Sequence, residues 1–252
     1  MNSGYSIPVV GLGTWNSPPG EVGSAVQKAL EVGYRHIDCA YIYKNEAEVG
    51  AALEDAMESL QIRRDEIFIT SKLWHTGHRP ENVKKSCEAG AADFPTDKDN
   101  NPAFDVVPLE DTWKAMEKLV DEGLVKSIGL SNFNKRQIET ILKHCCIEPA
   151  NLQVEIHANF PNTKLVEYAQ SIGLTVTAYA PLGSPARSPK SENLLTEPWS
   201  VTAERIKENF QVFDFQLSDD EMHQLNTKGV NERKFKMLGM IPDHEYPFKE
   251  EY

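Results

Sequence analysis

The sequence predicts an α/β fold of parallel strands, a TIM (β/α)8 barrel that lacks two of its staves. Two observations predict it. Strand-like and helix-like patterns alternate along the chain, and the spacing between strands doubles once. Short runs rich in β-branched residues recur as PVVGLGT, YRHIDCA, EIFITSK, VKSIGLS, NLQVEIH and LTVTAYA. Between most of them lie amphipathic helical patterns, EVGSAVQKALEVG, EAEVGAALEDAMESL, TWKAMEKLVDEG and KRQIETILKHC. Alternation of this kind implies parallel strands joined by crossover helices.

The strand centres fall near residues 11, 37, 69, 128, 153 and 177, leaving gaps of about 26, 32, 59, 25 and 24 residues. The double gap, between Lys72 and Lys126, holds a helix-like PENVKKSCEAG and a turn-rich FPTDKDNNPAFD where the repeat calls for a strand. After LTVTAYA no convincing strand pattern follows in the last ~70 residues. Six strands are thus legible where an eight-fold barrel has eight. No Gly/Ser/Pro-rich linker divides the chain, so residues 1–252 are expected to form a single domain.

A formal charge of −12 argues against binding nucleic acid, which needs clustered Lys and Arg to neutralise phosphates. The N-terminus MNSGYS has no basic region followed by an apolar run, and no stretch approaches the roughly 18 apolar residues of a membrane span. A cytoplasmic location is expected. Cys39, Cys87, Cys145 and Cys146 have no metal-ligand spacing, and adjacent Cys145 and Cys146 are poorly placed to bridge each other, so no metal site is expected and a reducing compartment is the simpler reading.

The chemistry sits at strand ends. Asp38 ends the second strand, Tyr43 lies just beyond it and Lys72 closes the third. A phenol with a reference pKa of roughly 10 is a weak acid, but an ammonium held beside it by a carboxylate stabilises the phenolate and lowers that value. Such a phenol can protonate a carbonyl oxygen as a hydride reaches the carbon. On residue types alone a strand-end ion pair beside a surface tyrosine is the commoner arrangement. GLGTWN, residues 11–16, has the first two glycines of a dinucleotide fingerprint but Asn16 at the third position, and no Rossmann unit follows.

Taken together, GLGTW, GYRHIDCAYIYKNEAEVG, ITSKLW, LVKSIGLSNFN, NLQVEIH, VTAYAPLGS and ERIKENFQVFDF resemble the aldo-keto reductases, NADPH-dependent enzymes on a (β/α)8 barrel. The resemblance implies a monomeric reductase of aldehydes or ketones using NADPH/NADP+. It places the proton donor on Tyr43, with Lys72 and Asp38 as tuning partners. Thr14, Ser131, Asn132, Gln153 and Tyr179 match cofactor-binding positions. Ser131, Asn132 and Gln153 would hold the nicotinamide carboxamide, whose donors and acceptors suit hydroxyl and amide side chains, and Tyr179 would stack on the ring. Leu182 and Ser184 match the loop over the pyrophosphate; Ser200, Thr202 and Arg205 match the adenosine phosphate site, and Glu208 and Asn209 the adenine site. Trp15 and Trp74 would wall an apolar substrate pocket.

Departures from the family pattern are as specific. The family's catalytic histidine lies in a His-Trp-Pro context at the end of strand four, and no such tripeptide occurs in this chain. A lysine expected before the phosphate-site serine reads Trp199. Both departures fall where the strand count finds a gap, so strands four and eight are the ones expected to be absent, as in a skipped-exon isoform or a faulty gene model. Neither His75 nor His78 is expected to replace the lost histidine, and His157 is expected too far round the ring. The alternative reading is a noncatalytic NADP-binding or regulatory protein, or an unstable product.

Overall fold

Six strands occur among the described residues, which are 1–89, 105–183 and 202–249 of this computed structural model, and they form two parallel three-stranded sheets. Each sheet belongs to one of two units. The first comprises Ser6–Trp74 and Thr196–Leu217; the second comprises Met1–Tyr5, His75–Leu195 and Ser218–Tyr252.

In the first unit β1 (Leu12–Gly13), β2 (His36–Asp38) and β3 (Phe68–Thr70) lie in that order, with Ile37 opposite both Leu12 and Ile69. The crossovers are α1 (Val22–Val32) and α2 (Glu46–Ser59). α1 buries Val22, Val26, Ala29 and Leu30 in one apolar cluster with Ile37. Those positions recur at helical spacing, which is why the segment folds as a helix against a sheet. α1 ends at Gly33, whose φ of 111° favours glycine and whose N–H reaches the carbonyls of Ala29 and Leu30. Ile206, from the later helix α7 (Ala203–Phe210), completes this core. The Tyr34 hydroxyl donates to the Ile206 carbonyl at 3.1 Å, and its ring meets Phe210 at 4.8 Å.

In the second unit β4 (Leu130–Ser131), β5 (Asn151–Glu155) and β6 (Thr175–Tyr179) lie in that order. A Cβ on Gly129 would come within 2.7 Å of the Asn151 carbonyl oxygen, so only glycine lets the chain enter β4 so close to β5. The helices are α3 (Pro80–Ala89), α4 (Leu109–Asp121), α5 (Lys135–His144), α6 (Thr163–Ser171) and α8 (Asp219–Thr227). Asn134 and Gln137 start α5 with a reciprocal capping box. Trp113, Ile138, Ile141, Leu152, Val154 and Ala169 share the core of this unit.

All six predicted strands are present, shorter than the apolar runs that announce them. α6 and α8 are additions to the sequence reading. The junctions where the family pattern breaks, at residues 87–92 and 196–201, fall largely outside the described residues.

Ile37 is fully buried beside Asp38, so Ile37→Ala should remove both transfer energy and packing from the sheet that carries the candidate catalytic residues. The expected loss is about 2–5 kcal/mol, read as a lower urea midpoint with an unchanged slope.

Candidate active site

The strand ends of the first unit bring Asp38, Tyr43 and Lys72 together. The Lys72 ammonium donates to Asp38 Oδ1 at 2.5 Å and to the Cys39 carbonyl at 3.0 Å. It also stands 5.3 Å from the centroid of the Tyr43 ring. Both members of the ion pair are mostly buried, with side-chain exposures of 20% and 17%. Parallel pairing explains the meeting: Asp38 faces Thr70 in the register of β2 and β3, and Lys72 follows two residues later. A short 3-10 turn over Tyr41–Tyr43 sets Tyr43 beside them.

Thr14 is fully buried and serves this corner structurally. Its N–H and its hydroxyl both donate to the Asp38 carbonyl, at 3.0 and 2.9 Å, while Asn45 Nδ2 donates to the Thr14 carbonyl at 2.8 Å. Trp15 is 43% exposed and Trp74 is half-buried; neither is a core aromatic.

The electrostatics correct one expectation. Lys72 was expected to lower the Tyr43 pKa, but desolvation, followed by the nearby Asp38 carboxylate and Cys39, pushes the phenol well above its ordinary value. The Lys72 charge is opposed by Asp38 at contact distance, so the phenol sees little net positive field. Burial likewise pushes the Cys39 thiol up to about 11.

α7 carries the positions matched to the adenosine end. Thr202 caps this helix, accepting from the Arg205 N–H at 3.3 Å, with Arg205 half-buried and Glu208 and Asn209 exposed. Ser184 and Ser200, with Trp199, lie outside the described residues.

A second cluster forms within the other unit. Ser131 pairs with Gln153, and Glu155 pairs with Tyr179, in the registers of β4, β5 and β6. Asn132 follows β4 in a left-handed conformation, φ 59°, with its N–H donating to the Gln153 carbonyl at 3.0 Å. The Tyr179 hydroxyl donates to Asn132 Oδ1 at 2.9 Å. Leu182 lies on an exposed turn beyond β6. This set offers a hydroxyl, two amides and an aromatic ring along β4, β5 and β6, a donor set suited to a carboxamide on a flat ring.

The histidines also resolve. The His157 side chain is buried, with Nε2 donating to Glu155 Oε1 at 2.9 Å, which marks a structural residue. His75 and His78 stack loosely with centroids 5.4 Å apart. Desolvation lowers the pKa of both, taking His78 to about 4, although His75 remains exposed to solvent.

Sequence reasoning missed Glu155 and Phe235. Glu155 Oε1 accepts from the Lys234 N–H at 2.6 Å and Oε2 from the Phe235 N–H at 3.0 Å. The available signal was a carboxylate among the buried residues of the strand run NLQVEIH. Among the described residues no cluster of metal ligands and no helix long and apolar enough to cross a membrane occurs, and all four cysteines are free thiols.

Tyr43 should stay protonated past the pH at which free tyrosine ionises. Difference titration of tyrosinate absorbance between the unliganded chain and its Tyr43→Phe variant checks this. Asp38→Asn removes one upward influence and leaves Lys72 unopposed, so it should move the Tyr43 titration to lower pH. A Tyr43 midpoint below that of free tyrosine in the unsubstituted chain would contradict the assignment.

Residues 9–198 match the sequence profile of the Aldo/keto reductase family. Aldo-keto reductase family 1 member A1 of Xenopus tropicalis is 41% identical over 290 residues, covering 92% of this chain and 89% of that protein. The Homo sapiens protein of the same name is 40% identical with the same coverage. The solved structure of the aldose reductase from Schistosoma japonicum is similar with a TM-score of 0.91 and 58% identity, over 100% of this chain and 98% of that one. With parallel strands joined by helices and its candidate residues at the strand ends, the chain belongs to the aldo/keto reductase family, a family of oxidoreductase enzymes on the TIM-barrel fold.

Proposed function

We propose that the chain is an NADPH-dependent reductase of aldehydes or ketones, with residues 1–252 forming one aldo-keto reductase domain and Tyr43 as the proton donor. The observation that carries this reading is the Lys72 ammonium, paired with Asp38 at 2.5 Å and set 5.3 Å from the Tyr43 ring.

NADPH, when bound, supplies the hydride for the carbonyl carbon. The residues of the chain hold the reactants and move the proton. Ser131, Asn132 and Gln153 would take the carboxamide, with Tyr179 as the platform for the ring. Thr202 and Arg205, with Glu208, Asn209, Leu182, Ser184 and Ser200, would take the rest of the cofactor. Trp15 and Trp74, both partly exposed, would line the approach of an apolar substrate.

Burial and Asp38 keep the Tyr43 phenol protonated, which is the form a donor needs. As the substrate oxygen gains electrons, Tyr43 gives it a proton. The phenolate left behind is then the charge that Lys72 stabilises, and Asp38 holds Lys72 in place for that moment. The phenol regains its proton from solvent. Stabilising that phenolate is the same thing as lowering the phenol's pKa, so Lys72 works against the upward push of burial and Asp38 and makes Tyr43 the better donor.

The chain is also proposed to lack strands four and eight with the family's catalytic histidine. In support, the Xenopus tropicalis alignment extends over 290 residues, whereas 92% of 252 residues is about 232. The relative therefore has aligned residues with no counterpart in this chain. A histidine that orients the carbonyl lowers the barrier, so without it turnover should fall well below that of an intact relative. A cytosolic, monomeric enzyme fits the reading.

NADPH oxidation with a reactive aromatic aldehyde tests it. Tyr43→Phe should cut kcat/KM by about 10²- to 10⁴-fold while NADPH binding persists. The unsubstituted chain should itself be slower than the Schistosoma japonicum enzyme under the same conditions. Equal turnover would remove the claim of impairment, and NADPH binding without any turnover would favour a noncatalytic binding protein.

A further inference from the structure

The C-terminal segment of the second unit is fastened to the strand that faces Tyr179. Glu155 ends β5 with its carboxylate fully buried, and both oxygens are spent on the backbone N–H groups of Lys234 and Phe235, at 2.6 and 3.0 Å. Burial alone would raise this carboxyl, but the hydrogen bonds from His157, Lys234 and Phe235 outweigh it and hold the group below the usual range. One residue earlier the Arg233 guanidinium lies 4.5 Å from the Phe160 ring centroid and 3.8 Å from that of Phe248. A third attachment is the Glu232 N–H, which donates to the Asn159 carbonyl at 3.0 Å. Residues 232–235 are therefore placed by backbone bonds and stacking rather than by their own helical or strand pairing.

The fastening delivers one side chain to a specific neighbour. The Phe235 ring meets the Tyr179 ring edge-on, with centroids 5.4 Å apart and planes at 86°. Tyr179 is held at its other end, where its hydroxyl donates to Asn132 Oδ1. A tyrosine ring has two soft torsions, and a bond at the hydroxyl alone leaves the ring free to tilt about its long axis. A perpendicular aromatic partner removes that freedom. Glu155 is also the register partner of Tyr179 across β5 and β6, so one residue fixes both rings relative to the same strand.

We propose that Phe235, clamped through its backbone by Glu155, is a positioning residue that sets the tilt of the Tyr179 ring and thereby the affinity of the chain for the nicotinamide half of NADPH. The proposal rests on the reading of Tyr179 as the nicotinamide platform. It gives the C-terminal segment a part in cofactor binding.

The test compares NADPH with adenosine 2′,5′-bisphosphate, the part of the cofactor that lacks the nicotinamide, by calorimetric titration of the full chain. Phe235→Ala should weaken NADPH about three- to tenfold, the size of one lost aromatic pair, and leave the bisphosphate within about twofold. Phe235→Tyr keeps the ring and should bind both ligands as the unsubstituted chain does. A thermal melt accompanies each variant, and if Phe235→Ala loses its transition then Phe235→Leu, which keeps apolar bulk without a flat ring, is read by the same criteria.

Unchanged NADPH affinity in Phe235→Ala, or equal weakening of both ligands, overturns the proposal. In a Tyr179→Ala background Phe235→Ala should have no further effect, and an additive loss there also overturns it. Tyr179→Ala separates the two readings. If it leaves NADPH affinity unchanged, the platform reading fails and this inference with it; if it weakens NADPH while Phe235→Ala does not, only the inference fails.

Discussion

The first sheet depends on how Asp38 is used. Its backbone carbonyl accepts both donors of Thr14, and its side chain takes the Lys72 ammonium, so one residue on β2 ties down the ends of β1 and β3. Parallel strands make this economical, because their C-terminal ends lie side by side and their side chains converge there. The pair is mostly buried, and removing one partner of a fully buried pair costs about 3–5 kcal/mol because it strands the other charge. Residual exposure brings the cost here below that range. On the proposed reading the pair matters through Tyr43, because Asp38 offsets much of the field by which Lys72 would lower the phenol's pKa.

The second sheet uses a carboxylate differently. Among the described residues Glu155 has no lysine or arginine in salt-bridge contact; its oxygens are taken up by one imidazole and two backbone N–H groups. Neutral donors in such number can hold a buried carboxylate in its charged form without a counter-ion. Asp38 therefore organises the surroundings of Tyr43, the proposed proton donor, whereas Glu155 organises the path of the chain. Farther along, Asn134, Arg136 and Gln137 repeat the tactic on the same segment: Asn134 Nδ2 donates to the Pro247 carbonyl, Gln137 Nε2 to the Glu245 carbonyl, and Arg136 to the Glu245 carboxylate. The C-terminal stretch gains its structure from these attachments, not from its own periodicity.

Much of this was legible in the sequence, and the limits have physical causes. Parallel strands are rich in β-branched residues, so FIT in β3 and TVT in β6 announced themselves; the ends did not, because β1 keeps only Leu12–Gly13 after Pro8. α8 was missed although Ser218 and Glu221 form a capping box, since its apolar face is weak and every residue in it is exposed. That Asp38, Tyr43 and Lys72 meet was legible from strand position, and the family resemblance supplied their reading as a candidate site. The direction of the Tyr43 shift was not, because it depends on burial and on which of two opposite charges stands nearer. Nor was Phe235, whose contact with Tyr179 joins segments far apart in sequence with no repeating pattern to link them.

One surface feature bears on the proposed loss of two strands. Val212, Phe213, Phe215 and Leu217 are 44%, 64%, 62% and 37% exposed, a run of apolar side chains immediately after α7. Single exposed apolar residues are ordinary, but four within six positions are not, since each leaves transfer energy unrealised. The helix just before the run is well held: Ile206 is buried and Phe210 packs on Tyr34 at 4.8 Å. The run also follows the second junction, residues 196–201, where the family pattern loses a helix and a strand. A missing layer upstream would bare such a face while leaving the anchored helix intact, so shortening and surface have one cause on the proposed reading. Its cost falls on solubility before it falls on chemistry, because Asp38, Tyr43 and Lys72 lie at the ends of β2 and β3, which still pair with each other.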